Sequence, residues 1–566
     1  MTPITRVTTP HVDHGRRAPK LAAPVAWSLA VIIPVAFLAV FFLWPVGSML
    51  WRGVSDAGTG DGGAFGEVLT QARTWRILGQ TLWLALAGTA GAVLLGTPGA
   101  YVLYRCRFPG RNLLRAVATM PFVLPTVVVG VAFRALLADR GPLGFLGLDG
   151  TTTAVVLAMV FFNFSVVVRT VGPLWASLDP RSAEAARTLG ASPLRAFTTV
   201  TLPQLVPAIA SAASIVFLFC STAFGIVQTL GRPGGGTLET EIYVQTTTLL
   251  DLRTAAALSC LQFLIVVVAV LVANRLRRGT ETALRMRDAT THPLGRADMP
   301  AFALTLLVIG GLIIAPLVAL ALRALASRDG FGFGNFALLA TSGSGFAGGT
   351  TMLEALDHSV RIAIDATWIS LAIGVPLALA LSRRAGAKWA RRQRILDGAI
   401  MLPLGVSAVT VGFGFVISLQ VAWPEVARSG LLVPFAQAVV ALPLVIRVLV
   451  PALRAIDPRQ REVAATLGAG PGRILRTIDG PVLARGIGTA AGFAFAMSLG
   501  EFGATSFLAR PDYLTLPVLI VRVLGRPGAD NYGMAMAAAT LLALVTAGVM
   551  MLSERLRPRG SGGDLW

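Results

Sequence analysis

Charge is scarce in this 566-residue sequence. Asp, Glu, Lys and Arg together make up 13% of it, about half of the ~25% usual in a soluble domain. Lysine is nearly missing, with Lys20 and Lys388 the only two. A phosphate-cradling loop of the form G-x-x-x-x-G-K-[ST] therefore cannot be built. The glycine-rich GRPGGGT (231–237) has no lysine and reads as a flexible loop. No nucleotide chemistry and no catalytic residue of the chain's own is expected. Three cysteines, Cys106, Cys220 and Cys260, are too few and too scattered for a disulfide framework or a metal-ligand spacing. They read as small core residues, and neither a metal nor a cofactor is expected on this chain.

What the chain has instead is apolar sequence: 55% hydrophobic residues and a mean hydropathy of +0.72. This is the composition of an integral membrane protein. The net charge of +20 would point to nucleic acid in a soluble protein. Here the basic residues crowd the loops between apolar runs, as in cytoplasmic loops of membrane proteins, and nucleic-acid binding is set aside. The sequence up to Pro24 is polar, and the apolar run after it is too long for a signal-peptide core. That run reads as a retained membrane helix.

Twelve apolar segments approach the ~20 residues needed to cross a bilayer. They cover 27–51, 80–104, 113–137, 152–177, 205–229, 253–275, 300–323, 358–382, 395–420, 430–453, 482–508 and 530–553. The expected fold is all-α, two six-helix repeats in one membrane protein. Its parts are a tail (1–26), a first half (27–278), a linker (279–298), a second half (299–553) and a second tail (554–566). Alternating crossings place 105–112, 178–204, 276–299, 383–394 and 454–481 on one side with both termini. RRAGAKWARRQR (383–394) holds six basic residues and no acid, whereas VAWPEVARSG (421–430) on the other side has one Arg offset by a Glu. The excess of positive charge marks the first side as cytoplasmic. A multi-pass protein of the plasma (inner) membrane is expected.

The two halves repeat each other at one constant shift. Gly96 falls on Gly374, Pro98 on Pro376, Arg105 on Arg383 and Arg169 on Arg447. DPRSAEAARTLGASPLRAFTTVTLP (179–203) falls on DPRQREVAATLGAGPGRILRTIDGP (457–481) with 13 identities in 25 positions. MPFVLPTVVVG (120–130) matches MLPLGVSAVTVG (401–412) once a small insertion is allowed. Halves of equal topology form a parallel repeat about an axis along the membrane normal, with one pore between them. Each polar copy starts a helix at Asp-Pro, ends it near Gly190 or Gly468, and starts another at Pro193 or Pro471. Two such helix–glycine–helix elements on one face suit a partner with two-fold symmetry.

Glu184, Ala185 and Ala186, followed by Gly190 and Pro203, resemble the EAA loop of ABC importer permeases. Glu462, Ala464, Gly468 and Pro481 resemble it in the second half, with Val463 and Gly480 departing from the pattern. The resemblance covers nearly the whole chain. It implies coupling helices docked on two cytoplasmic ATP-binding cassette subunits that hydrolyse the ATP, and an extracytoplasmic solute-binding protein that delivers the solute. Fused two-half permeases of this kind resemble those of ferric-iron and thiamine importers, and the expected solute is iron or a related small cation, with thiamine the other candidate. LGRPGGGTLETEIYVQTTTLLDLRTAAALSCLQ (230–262) and EFGATSFLARPDYLTLPVLIV (501–521) are the stretches that look most like those members.

Ionisable groups at membrane depth are costly and so mark function or pairing. Glu501 in SLGEFGATSF is the prime candidate, either facing a cationic substrate or pairing with Arg447. Its counterpart is Ala223. Ser498 and Phe502 beside it, and Asn163, Ser221, Thr222 and Phe224 in the first half, are the other candidates for the substrate pathway. Asp365, Arg134 and His358 read as internal partners or interface residues, and Thr126 as a pathway or packing residue. Two rival readings remain. A twelve-span secondary carrier of the major facilitator type has the same symmetry, but it has no use for two EAA-like loops, and RCRFPGRNLLR (105–115) lacks that family's signature. A membrane scaffold leaves the duplication unexplained.

Overall fold

In a bilayer every backbone amide and carbonyl must find its partner within the chain, and a helix does this segment by segment. The structure, a computed structural model, describes residues 22–55, 63–232, 236–278, 291–327, 330–343, 349–382 and 406–555, with isolated positions between 396 and 403. Most of both tails, the first part of the linker, the basic loop 383–394 and the start of the predicted ninth span lie outside the described residues.

Among the described residues, ten helices are long and apolar enough to span a bilayer, or eleven if a sharply bent pair counts as one. In the first half these are α1 (Leu29–Ser55), α2 (Ala72–Arg105), the pair α3 (Arg111–Val123) and α4 (Thr126–Leu137), and α5 (Thr152–Ser177). Next come the short α6 (Arg181–Thr188) and then α7 (Pro193–Ser221), α8 (Gly225–Leu230), α9 (Leu238–Thr247) and α10 (Leu252–Ala273). The second half follows with α11 (Arg296–Leu325), α12 (Met352–Ser382), α13 (Ala408–Ala422), α14 (Leu432–Arg454), α15 (Pro458–Thr466), α16 (Pro471–Leu499), α17 (Gly503–Leu508), α18 (Leu516–Leu524) and α19 (Ala529–Ser553).

Ten of the twelve expected spans thus coincide with long helices. The third is broken by a 110° bend between α3 and α4, where Pro125 withholds an amide and pushes Leu124 into an extended conformation. The ninth, its counterpart in the duplication, is represented by the shorter α13, with Ser407 capping its first turn. The fifth and eleventh also differ from expectation. α7 and α16 begin well before the apolar pattern does, then stop at Ser221 and Leu499. The chain restarts as α8 and α17.

The duplication extends to irregular detail. The backbone widens into a π-helix at Phe197–Thr201 and again at the matching positions of the second half, Leu475–Asp479. The opening helix of each half carries one too, at Ala39–Leu43 and Val308–Ile314. Gly96 and Gly374 do the same work in each half. A Cβ there would come within 2.7 Å of Val167 and of Val445 respectively. Glycine lets α2 close on α5 and α12 close on α14, the small-residue packing that holds helices together in lipid.

Each half lends its first helix to the other. α1 lies along α12, α13 and α14, with Phe41 stacked on Phe435 at 4.5 Å and Trp44 edge-on to Trp423 at 5.5 Å. α11 in turn packs on α2 and α4, and Phe302 meets Phe108 at 5.1 Å. Before α11 the end of the linker is pinned to α2. His292–Pro293 pairs as a short parallel strand with Cys106–Arg107, and the Tyr101 hydroxyl donates to Asp298 at 2.7 Å. The halves are therefore interlocked as well as adjacent.

Candidate functional site

Two features stand out: a matched pair of hairpins, and the seam where the halves meet. In the first hairpin, α6 ends in a left-handed Gly190 (φ +87°), and the Gly190 and Ala191 amides donate to the carbonyls of Arg187 and Ala186 at 3.0 and 3.1 Å. In the second, Gly468 (φ +81°) and Ala469 donate to Ala465 and Ala464 at 3.0 and 2.9 Å. The same bonds thus recur at equivalent positions, each set forming a glycine-terminated helix end. Asp179 and Asp457 accept from the amides of Arg181 and Arg459 at 3.1 and 3.0 Å, which starts each helix. The turn throws one leucine outward in each copy: Leu189 is 89% exposed and Leu467 82%. Glu184, Ala185 and Ala186 lie on α6; Glu462 and Ala464 lie on α15. Pro203 and Pro481 sit in the first turn of the helix segments that follow.

The hairpins differ underneath. Behind the first is a cavity of about 480 Å³ bounded by Tyr101, Arg105, Trp175, Glu184, Phe197 and Gln204, with Ala183 and Thr201 also on its wall. At the positions of Ala183 and Thr201 the second half has Arg461 and Asp479. Their side chains form an ion pair at 2.8 Å, the carboxylate being 2% exposed. The Arg461 guanidinium also donates to the Leu453 carbonyl at 3.3 Å. The second hairpin is braced by a buried ion pair where the first stands over a cavity.

At the seam, Phe224 stacks on Phe502 with centroids 5.0 Å apart and planes 12° from parallel. These two are counterparts in the duplication, and a residue that touches its own counterpart must lie next to the axis relating the halves. Each phenylalanine sits in the break before a short helix. Gly225 and Gly503, just beyond, let α8 and α17 press on α4 and α13: a Cβ would come within 2.4 Å of Thr126 and 2.9 Å of Ala408. Tyr243 of α9 touches Phe224 and Phe507, both at 5.4 Å. An aromatic cluster thus lies at the axis.

The other sequence candidates have varied tasks. The Glu501 carboxylate accepts from the amides of Ala504 and Thr505, at 2.8 and 3.0 Å, and from the Thr505 hydroxyl. It caps α17 and neutralises that helix's first-turn amides. Ser498 is buried, and its hydroxyl has no hydrogen-bond partner among the described residues. Asn163 donates to Met159 at 2.9 Å and to the Cys220 sulfur at 3.3 Å, tying α5 to α7. The Ser221 and Thr222 hydroxyls both return to the Leu218 carbonyl, at 2.9 Å each, and finish α7. Arg134 donates to the Thr229 carbonyl at 3.4 Å and His358 meets that of Leu514 at 3.2 Å, so both are internal partners. Asp365 lies on an exposed side of α12.

Two groupings were not visible in the sequence. Cys106, His292 and Asp298 converge to within 4.8 Å, with the Tyr101 hydroxyl 3.3 Å from His292. Their separation along the chain hid them. The second is a fully buried acid at the seam: the Ser407 hydroxyl of the second half donates to Glu239 of the first at 2.6 Å. In the sequence Glu239 follows a run of glycines and reads as a loop residue.

Residues 88–285, which include the first hairpin, match the family described as binding-protein-dependent transport system inner membrane component. The thiamine transport system permease protein of Brucella suis biovar 1 (strain 1330) is 26% identical over 564 residues, covering 95% of this chain and 97% of that protein. That of Escherichia coli (strain K12) is 26% identical over 520 residues, covering 89% and 91%. The probable sulfate transport system permease protein of Nephroselmis olivacea is 30% identical over 208 residues, 36% of this chain and 70% of that protein. A bacterial ABC transporter involved in the import of the acidic polysaccharide alginate aligns with 46% of this chain and 96% of its own at 20% identity, with a TM-score of 0.38. With a duplicated helical bundle, paired EAA-type hairpins and these relatives, the chain belongs to the binding-protein-dependent transport system inner-membrane components, as a multi-pass permease subunit of an ABC importer.

Proposed function

We infer that this permease carries thiamine or a closely similar organic cation into the cell. In this reading two separate ATP-binding cassette subunits drive it, and an extracytoplasmic binding protein supplies the solute. The observation behind the motor assignment is the pair of outward leucines, Leu189 and Leu467, at matched hairpin tips. Lone exposed leucines are common, but two at equivalent places on glycine-built turns are suited to two equal grooves on a symmetric partner. With the hairpins on the Arg-rich side, both termini face the cytoplasm. The chain hydrolyses no ATP itself. The site residues divide accordingly: Glu184, Ala185, Ala186, Gly190, Pro203, Glu462, Ala464, Gly468 and Pro481 build the coupling hairpins. Phe224 and Phe502 close the pathway at the axis. The Brucella suis and Escherichia coli proteins, which match over nearly the full length, are thiamine permeases, which favours thiamine over ferric iron.

The deciding measurement is ATP hydrolysis by the reconstituted complex with its binding protein. Thiamine is expected to stimulate it severalfold and ferric ion is not; stimulation by ferric ion alone would overturn the substrate assignment. The aromatic cluster makes a separate prediction. Stacked rings contribute about 0.5–1.5 kcal/mol beyond their buried area. Phe224→Ala with Phe502→Ala should therefore raise ATP hydrolysis in the absence of solute several-fold, because the closed state is less favoured. Unchanged solute-free hydrolysis would rule out a gating role for the pair.

A further inference from the structure

We propose that Glu239 is the counter-charge that selects a cationic solute at the seam between the two halves. This rests on the organic-cation reading above and assigns to it a residue of which neither the family match nor the relatives speak. Glu239 is completely buried, on the first turn of α9. One oxygen accepts from the Ser407 hydroxyl across the seam, at 2.6 Å. The other has no hydrogen-bond partner among the described residues. Gln262 is the carboxyl's other polar neighbour; its amide nitrogen donates to the Ser221 carbonyl at 3.1 Å, and its side-chain oxygen has no hydrogen-bond partner among the described residues. Ser407 and Gln262 are both neutral, and no ion pair reaches this carboxyl among the described residues, so it is a buried acid without a counter-charge of its own.

The surroundings define the kind of cation. Tyr243 lies four residues after Glu239 on α9, so the two share a helix face one turn apart. Its ring touches Phe224, which stacks on Phe502. A carboxylate beside aromatic faces recognises an organic cation, through charge on one side and ring quadrupoles on the other. The contrast with Glu501 is instructive: that carboxylate is taken up by three donors of its own segment and has little left to offer a solute. Ser407 occupies Glu239 from the opposite half. Separation of the halves would break this bond and turn the acid toward the pathway, so that opening and solute recognition are one event.

The test separates charge from a merely structural bond. Glu239→Gln keeps the shape and an acceptor for Ser407 but loses the charge. Glu239→Asp keeps the charge but shortens the reach. Uptake of radiolabelled thiamine, ferric iron and sulfate is measured in proteoliposomes holding the full complex with its binding protein. The half-saturating concentration of thiamine is expected to rise at least ~10-fold in Glu239→Gln, with a smaller effect on maximal rate, while Glu239→Asp stays within ~3-fold of the parent. The reverse order, with Gln tolerated and Asp damaging, identifies a structural latch and overturns the proposal. If the parent imports ferric iron and not thiamine, and Glu239→Gln raises the half-saturating iron concentration, the counter-charge stands and the thiamine reading falls. Uptake of sulfate alone overturns both.

Discussion

Placing aspartate at both Leu189 and Leu467 is expected to abolish solute uptake and to strip the ATPase from the purified permease. Each leucine is almost fully exposed at the apex of a turn whose backbone bonds are already complete. Aspartate there costs the fold little, because nothing in the hairpin depends on those side chains. The loss falls on the partner's groove, where burying a charge without a mate is expensive. An anchor residue at an interface contributes about 2 kcal/mol or more, so losing two weakens association on the order of 10²–10³-fold. Co-purification of a tagged ATPase, with membrane levels of the permease as control, reads the effect directly. Undiminished ATPase recovery from the double variant would refute the docking role of the hairpin tips. Single variants are informative as well, since a two-fold symmetric motor held by one tip should be retained in part.

The second large effect concerns the unequal foundations of the hairpins. Asp479→Ala removes the partner of Arg461 and leaves a guanidinium in a site where the Asp479 side chain is 2% and the Arg461 side chain 21% exposed. Removing one member of a buried pair costs about 3–5 kcal/mol, and the partial exposure of Arg461 puts this case near the lower figure. Removing both, Arg461→Ala with Asp479→Ala, should recover most of the loss, because no stranded charge remains. Thr201→Ala at the equivalent place in the first half should cost under ~1 kcal/mol, since that residue lines a cavity. Denaturation midpoints of the purified permease and its variants test this. Equal losses at Asp479 and Thr201 would show that the ion pair does not brace the hairpin. The two hairpins thus share a backbone design but rest on different foundations, an ion pair in one half and a cavity in the other.

The paired hairpins were readable from residues alone because everything that makes them is local. Asp-Pro starts the helix, glycine ends it, and repetition at one fixed shift distinguishes design from chance. The same fixed shift relates Phe224 to Phe502, which the fold brings face to face. Glu501 was conspicuous for the opposite reason, an acid in an apolar run, and that rule misled in part. A charge can be settled at depth by the amides of a helix start a few residues away, and no composition pattern reveals which acid is already satisfied. Glu239 escaped notice because glycine, threonine and glutamate in sequence look like a solvated loop.

Composition and periodicity by themselves determined that this protein lives in a membrane, that it is built twice, and that each copy presents one polar hairpin. Those properties depend on hydrophobicity and short-range backbone chemistry, which each stretch of chain carries with it. Tertiary structure alone decided that the halves exchange their first helices, that two spans break at the axis, and which acid at the seam is left short of a partner. Each of these is a relation between segments far apart in the chain, set by how closely glycine-lined surfaces approach and by which buried groups that approach leaves facing one another.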